Sequence, residues 1–167
     1  MNNSPHVHLP ISVRVIMLKV LLALLPGIAV YVWFFGAAIL VQIALASTAA
    51  LAGEAAMLKL RGKPVGLFLS DGSALVTAWL IALTFPPIAP WWLIVSATLF
   101  ALIVAKHLYG GLGQNPFNPA MVAFCVSIIA FPAMMSQWPA VGFTDFAAQM
   151  RVIFESQSAQ DLSLIHI

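Results

Sequence analysis

Charged side chains are scarce in this sequence, which has 7% Asp, Glu, Lys and Arg against 62% hydrophobic residues and a mean hydropathy of +1.03. A soluble domain carries about 25% charged residues. The shortage excludes a soluble globular protein and predicts an integral membrane protein with the lipid bilayer as its surroundings. The net charge of +2 comes from a few basic residues near segment ends and is not the pattern of a nucleic-acid-binding protein.

Cysteine is almost absent as well, since Cys125 is the single one and lies inside an apolar run. One thiol excludes a disulfide within the chain and a multi-cysteine zinc or iron–sulfur site. Cys125 is therefore interpreted as a small core residue. His and Glu never occur together at metal-ligand spacing, and no nucleophile–base pattern is recognisable, so neither a metal site nor a catalytic residue is predicted.

Five long apolar segments are what the sequence has instead, and they predict an all-α, polytopic transmembrane bundle of about five spans. The first, with a kink expected at Pro26, is interpreted as a retained span and not as a signal peptide. Residues 1–138 are predicted to be the N-terminal part of one multi-span domain, and residues 139–161 an amphipathic segment on the outer face. The apolar segments cover residues 16–35, 37–58, 74–85, 91–109 and 120–135.

Basic residues predict the orientation of the bundle. With the N-terminus in the cytoplasm, only Arg151 of the seven Lys and Arg residues lies outside. The other six then mark cytoplasmic ends: Arg14, Lys19, Lys59, Arg61, Lys63 and Lys106. The same orientation puts the tryptophans at the outer headgroup level: Trp91, Trp92 and Trp138.

The third and fifth apolar segments are short for a membrane span. A span needs about 20 residues, whereas these runs give helices of about 18 and 24 Å. Each follows helix-starting chemistry: Ser70, Asp71 or Ser73 can cap the third helix, and Asn118 can cap the fifth. Short helices with polar breaks indicate a binding site at membrane depth.

The stretch YGGLGQNPFNPAM, residues 109–121, is the most unusual polar break. It lacks the third glycine of a dinucleotide fingerprint and the Gly-Lys-Ser/Thr of a P-loop. Its glycines allow close backbone approach to a ligand, and the amides of Gln114, Asn115 and Asn118 offer donors and acceptors. An ordinary surface turn is the alternative for this loop, and more strongly for the DGS stretch at residues 71–73.

Three other polar residues are open to two interpretations each. Glu54 within the second span is either a functional intramembrane carboxylate or the partner of Lys59 or Arg61 in a salt bridge at the cytoplasmic end. Asp71 either binds a cation or caps a helix, and capping is favoured. His107 beside a lysine at a helix end is expected at the surface.

Several motifs together resemble one family. The stretches SPH, LLALLPG, DGSALVTAWLIAL, PPIAPWW and KHLYGGLGQNPFNPAM occur in that order between residues 4 and 138. They are similar to the family that contains RnfD of the Rnf complex and NqrB of the sodium-pumping NADH:quinone reductase. The resemblance implies a bacterial inner-membrane, multi-pass subunit. Its complex moves electrons between ferredoxin and NAD and couples this to sodium ion or proton pumping, together with other membrane and peripheral Rnf subunits.

The resemblance also implies FMN. In the family one FMN is attached to a threonine in an S/T-G-A-T-like motif, which this sequence lacks, so the covalent site is expected beyond this fragment. A second, non-covalent flavin is the hypothesis for the loop. Its predicted contacts are Gly111, Gly113, Gln114, Asn115, Asn118 and Asp71.

Two further expectations complete the sequence-based interpretation. The chain is expected to be an N-terminal fragment whose last residues, LSLIHI at 162–167, are non-native, because one reading frame of a common sequencing-library adapter encodes them. Alternative functions are a channel or secondary transporter for a small solute, since broken helices serve that role equally well, or a purely structural membrane subunit.

Overall fold

The computed structural model describes residues 12–155, and this part of the chain is helical with no strand. It confirms the prediction of an all-α membrane bundle. The predictions for residues 156–161 and for the suspected non-native tail 162–167 lie outside the described residues. The helices are α1 Val13–Phe35, α2 Ala38–Leu60, α3 Val65–Leu69, α4 Ser73–Thr84, α5 Trp91–Phe100 with a π-helical extension Ala101–His107, α6 Pro119–Ala130, α7 Pro132–Met135 and α8 Phe146–Glu155.

Two of these helices, α1 and α2, are long and apolar enough to cross a membrane, at 23 residues each. The predicted spans are recovered with shifts of a few residues at their ends, and α1 runs through Pro26 as one helix. The short segments are short helices, because α4 and α6 have 12 residues each. The predicted fifth span is divided, since α6 ends at Ala130 and α7 follows from Pro132.

Small residues let the central helices approach one another closely. α2 packs on α4 and α5 through buried alanines, and Gly53 of α2 faces Leu99 so closely that an added Cβ would lie 3.0 Å from its Cδ2. Close van der Waals packing is the main attraction between helices in lipid. The alanines of this contact are Ala46, Ala50, Ala74, Ala78, Ala97 and Ala101.

The connection between α4 and α5 is a buried turn held by Gln42 of α2. The Gln42 Nε2 donates to the carbonyl oxygens of Pro87 and Ala89 at 3.2 and 2.6 Å. These carbonyls are away from water and need a donor. A polar side chain within α2 thus fixes one end of α4, and we name this end, together with the α1–α2 turn, the turn end of the bundle.

Helix α8 closes the turn end. Its Gln149 is fully buried and satisfies the backbone of the α1–α2 turn: Oε1 accepts from the N–H of Ala38, and Nε2 donates to the carbonyl of Phe35. Val152 and Ile153 of α8 pack against Ala38 in the same small core. Part of the predicted amphipathic segment therefore docks on the bundle. The predicted domain division itself stays a prediction.

Apolar surface remains exposed on α1 and α6. Cys125 was expected in the core, and this was wrong: its side chain is exposed on the outward face of α6 beside Val126 and Ile129. The buried face of α6 consists of Ala120, Ala123 and Ser127. Composition alone could not separate the two faces, because nearly every residue of this helix is apolar.

Candidate functional site

A buried ionic cluster lies at the end of the bundle opposite the turn end. Glu54 of α2 faces Lys106 and His107 at the end of the π-helical extension. The Lys106 Nζ is 2.9 Å from Glu54 Oε1, and the His107 Nε2 is 3.0 Å from Glu54 Oε2. All three residues are at most 5% exposed. By helix geometry Glu54 lies about 9 Å from the end of α2, inside the bundle.

Two sequence-based expectations are corrected by this cluster. His107 was expected at the surface and is buried, and Lys106 was counted as a cytoplasmic-end marker although it is inside the bundle. The salt-bridge interpretation of Glu54 is right in kind, but its partners are Lys106 and His107 and not Lys59 or Arg61. The usable signal was the pair Lys106-His107 at the end of an apolar run, since intramembrane charges pair with one another.

The π-helical extension explains why neighbouring residues reach the same carboxylate. In an α-helix three consecutive side chains spread over about 200° of the circumference, so they cannot all face one neighbour. Residues 101–107 are instead wound as a π-helix, a form found most often at functional sites. Ala105, Lys106 and His107 are consequently buried together.

Hydrogen bonding assigns the protonation of His107. Its Nδ1 lies 3.3 Å from Arg61 Nη1, and a guanidinium has donors only, so Nδ1 accepts. The ring proton is then on Nε2, which donates to Glu54 Oε2. Arg61 Nη1 also donates to the His107 carbonyl oxygen at 3.4 Å. The cluster thus combines one carboxylate, a neutral imidazole and two cations.

The N-terminus of α4 also meets the cluster. Ser73, its first residue, accepts a hydrogen bond from Lys106 Nζ at 2.9 Å through Oγ. Asp71 Oδ1 accepts from the Ser73 N–H at 2.7 Å. This contact supports the favoured interpretation of Asp71 as a helix cap.

The loop after the π-helical extension is anchored to it by backbone bonds. The N–H groups of Gly110 and Gly111 donate to the carbonyl oxygens of His107 and Lys106 at 3.1 and 3.0 Å. Gly110 and Gly111 adopt φ values of 109° and 103°, which residues other than glycine rarely adopt. Replacing either glycine would therefore strain the backbone next to Lys106 and His107.

The amides of the loop are used partly by the loop itself. Asn115 Nδ2 donates to the Phe117 carbonyl at 2.7 Å. Asn118 Oδ1 accepts from the Ala120 N–H at 3.0 Å and caps α6, with Pro119 at the first position, as the sequence predicts. The Gln114 side chain is exposed.

Two cavities flank the ionic cluster and divide the predicted contact residues between them. One, of about 330 Å³, is bordered by Gly111 and Asp71, together with Glu54, Arg61, Lys63 and His107. The other, of about 130 Å³, is bordered by Asn115 and Asn118, together with Ser73 and Lys106. Gly113 and Gln114 border neither. The Glu54–Lys106 pair thus has its carboxylate on one cavity and its ammonium on the other.

Comparison with known proteins identifies the family. The model of the NQR2, RnfD, RnfE family matches residues 1–165. The chain belongs to the NQR2, RnfD, RnfE family. It is 48% identical over 172 residues to the D-type subunit of the ion-translocating oxidoreductase complex of Shigella boydii serotype 18, covering 99% of this chain and 49% of the relative. The protein of the same name from Escherichia coli strain K12 is 51% identical over 162 residues, covering 94% of this chain and 46% of the relative.

The chain thus spans about half the length of the curated relatives it matches. Family membership confirms the resemblance drawn from the motifs. The residues of the ionic cluster and the glycine-rich loop lie within the part that matches the NQR2, RnfD, RnfE family.

Proposed function

We propose that this chain is the N-terminal part of a membrane subunit of a bacterial ion-translocating oxidoreductase complex. The observation that carries the proposal is the identity of 48–51%, over nearly the whole chain, to relatives named as the D-type subunit of such a complex. The finer proposal is electron transfer between ferredoxin and NAD, coupled to sodium ion or proton pumping across the inner membrane. The N-terminus and the ionic cluster then lie on the cytoplasmic side.

Flavin is the cofactor that this proposal includes, and the larger cavity is where a non-covalent flavin fits best. Its 330 Å³ is at the lower limit for a ligand pocket. Arg61 and Lys63 offer cationic donors there for electron-rich oxygens, and Gly111 leaves room for a ring edge. When bound, the flavin would carry electrons. Asn115 and Asn118 would shape the loop, since their amides already bind the backbone.

Covalent FMN is expected in the full-length protein that contains this chain, at a threonine outside these 167 residues. We expect the denatured full-length protein to fluoresce as a flavoprotein in a gel, because covalent FMN survives denaturation. A matched protein ending at residue 161 should show no fluorescent band. Absence of the band from the full-length protein, purified with its complex, would argue against a flavin subunit.

The same experiment separates the alternative function, a channel or secondary transporter for a small solute. The observation that favours this alternative is a buried charge cluster where the short helix α4 begins. A transporter would catalyse solute flux in liposomes without flavin or any electron donor. A redox subunit would not.

We expect Asn118→Ala in the intact complex to destabilise α6 by about 1 kcal/mol, because the N-cap acceptor is lost. Non-covalent flavin content and electron-transfer rate should fall in parallel with that loss. Asn118→Asp keeps the acceptor and is the control that should retain both. Asn115→Ala tests the loop bond to Phe117 in the same way. Wild-type flavin content and rate in both alanine variants would limit these amides to a structural role.

A further inference from the structure

We infer that His107 is a proton-binding site controlled by Arg61. The Nδ1 lone pair of the ring is the acceptor for Arg61 Nη1. A proton can bind to the same lone pair only if the guanidinium leaves it. Arg61 and a proton therefore compete for one atom, and the inference rests on this contact without any assumption about flavin.

The rest of the ring is fixed. Nε2 donates to Glu54 Oε2 at 3.0 Å, and the imidazole is nearly inaccessible to solvent. Glu54 is held in turn by Lys106, whose ammonium bridges Oε1 and Ser73 Oγ at 2.9 Å each. A proton arriving on Nδ1 would convert His107 to an imidazolium already hydrogen-bonded to a carboxylate. That partner stabilises the charged form.

Arg61 is the group that can move. It follows the end of α2, its side chain is exposed, and its two contacts to His107 are long, at 3.3 and 3.4 Å. Bonds of this length lie beyond the usual 2.7–3.2 Å and are weak. The cavity of about 330 Å³ beside His107 gives the guanidinium another place to lie and gives water access to the ring.

The charges around His107 define when the exchange occurs. Glu54 and Lys106 face it from the bundle, and Arg61, Lys63 and Asp71 border the cavity. An anionic group entering the cavity would attract Arg61 away from the ring, because a guanidinium pairs strongly with anions. Water would then supply one proton to Nδ1. Arrival of negative charge in the cavity is thereby balanced by uptake of one proton.

Nitrogen NMR of the full-length protein in lipid nanodiscs, labelled with ¹⁵N-histidine, tests this directly. His107→Asn identifies the signal. In the wild type we expect the neutral tautomer with the proton on Nε2. In Arg61→Met the proton concentration for half-protonation of His107 should fall by about tenfold or more, because the competing donor and a like charge are both lost.

Lys63→Met is the matched control, since it removes one positive charge from the same cavity without touching Nδ1. It should shift the titration less than Arg61→Met does. Equal shifts in the two variants, no shift in Arg61→Met, or a wild-type tautomer with the proton on Nδ1 would each overturn the inference. If Arg61→Met does not fold, Arg61→Lys replaces it: the shorter ammonium should also release Nδ1, and titration as in the wild type would reject the mechanism.

Discussion

Replacing Lys106 with methionine is expected to destabilise the protein by about 3–5 kcal/mol, because breaking a buried ion pair leaves a charge without its partner. Methionine fills nearly the same volume but leaves Glu54 Oε1 and Ser73 Oγ without the ammonium that now bridges them. The measurement is thermal unfolding of the purified protein in detergent, followed by circular dichroism. A large fall in the midpoint is the expected result.

Two comparisons show whether the pair is responsible. The double variant Glu54→Gln/Lys106→Met removes both charges and should recover most of the lost stability, because neutral replacement of a whole buried pair is often tolerated. The glutamine oxygen can still accept from His107 Nε2. Lys59→Met removes an exposed lysine from the same end of α2 and should change little. If Lys106→Met is as stable as Lys59→Met, the cluster does not contribute as described.

Replacing Gln149 with leucine is expected to destabilise the turn end by about 3 kcal/mol, because three buried backbone groups lose their partners at about 1 kcal/mol or more each. The three are the N–H of Ala38 and the carbonyl oxygens of Phe35 and Phe143. Helix α8 should then detach from the bundle. Limited proteolysis would detect this as faster cleavage between residues 139 and 155 at unchanged helix content in α1 and α2.

Gln137→Leu is the control for the loss of an amide, since Gln137 is only half-buried and its side chain makes none of the hydrogen bonds found within residues 12–155. It should leave both stability and cleavage unchanged. Gly36→Ala offers an independent check, because an added Cβ would lie 2.5 Å from Gln149 Nε2 at a φ of 81°. It should resemble Gln149→Leu. Slow cleavage in both variants would mean that α8 is held mainly by Val152 and Ile153.

Features that depend on neighbours in sequence could be predicted well. The apolar segments predicted the helices to within a few residues, and Asn118-Pro119 predicted the start of α6, because capping needs only the residues beside it. The faces of the helices could not be predicted. In α6 apolar residues cover the circumference, so the exposed Cys125 looked the same as a buried residue.

The glycine-rich loop shows the same division within the candidate site. Its sequence indicated irregular backbone with positive φ angles, and Gly110, Gly111 and Gly113 have them. The sequence did not show that Gly111 and Asp71 would border one cavity while Asn115 and Asn118 border another. That depends on how α4, α5 and α6 pack around the loop. Contact of these residues with flavin stays a prediction.

Hydrophobicity and capping act over a few residues, so the amino-acid order was enough to specify an α-helical membrane bundle with short, capped helices. The partners of the buried charges were settled by the fold instead. Glu54 and Lys106 are 52 residues apart, and nearer basic residues such as Lys59 were available. The packing of α2 against α5 and the π-helical turn bring Lys106 and His107 to the same carboxylate, where low polarity makes the pairing necessary.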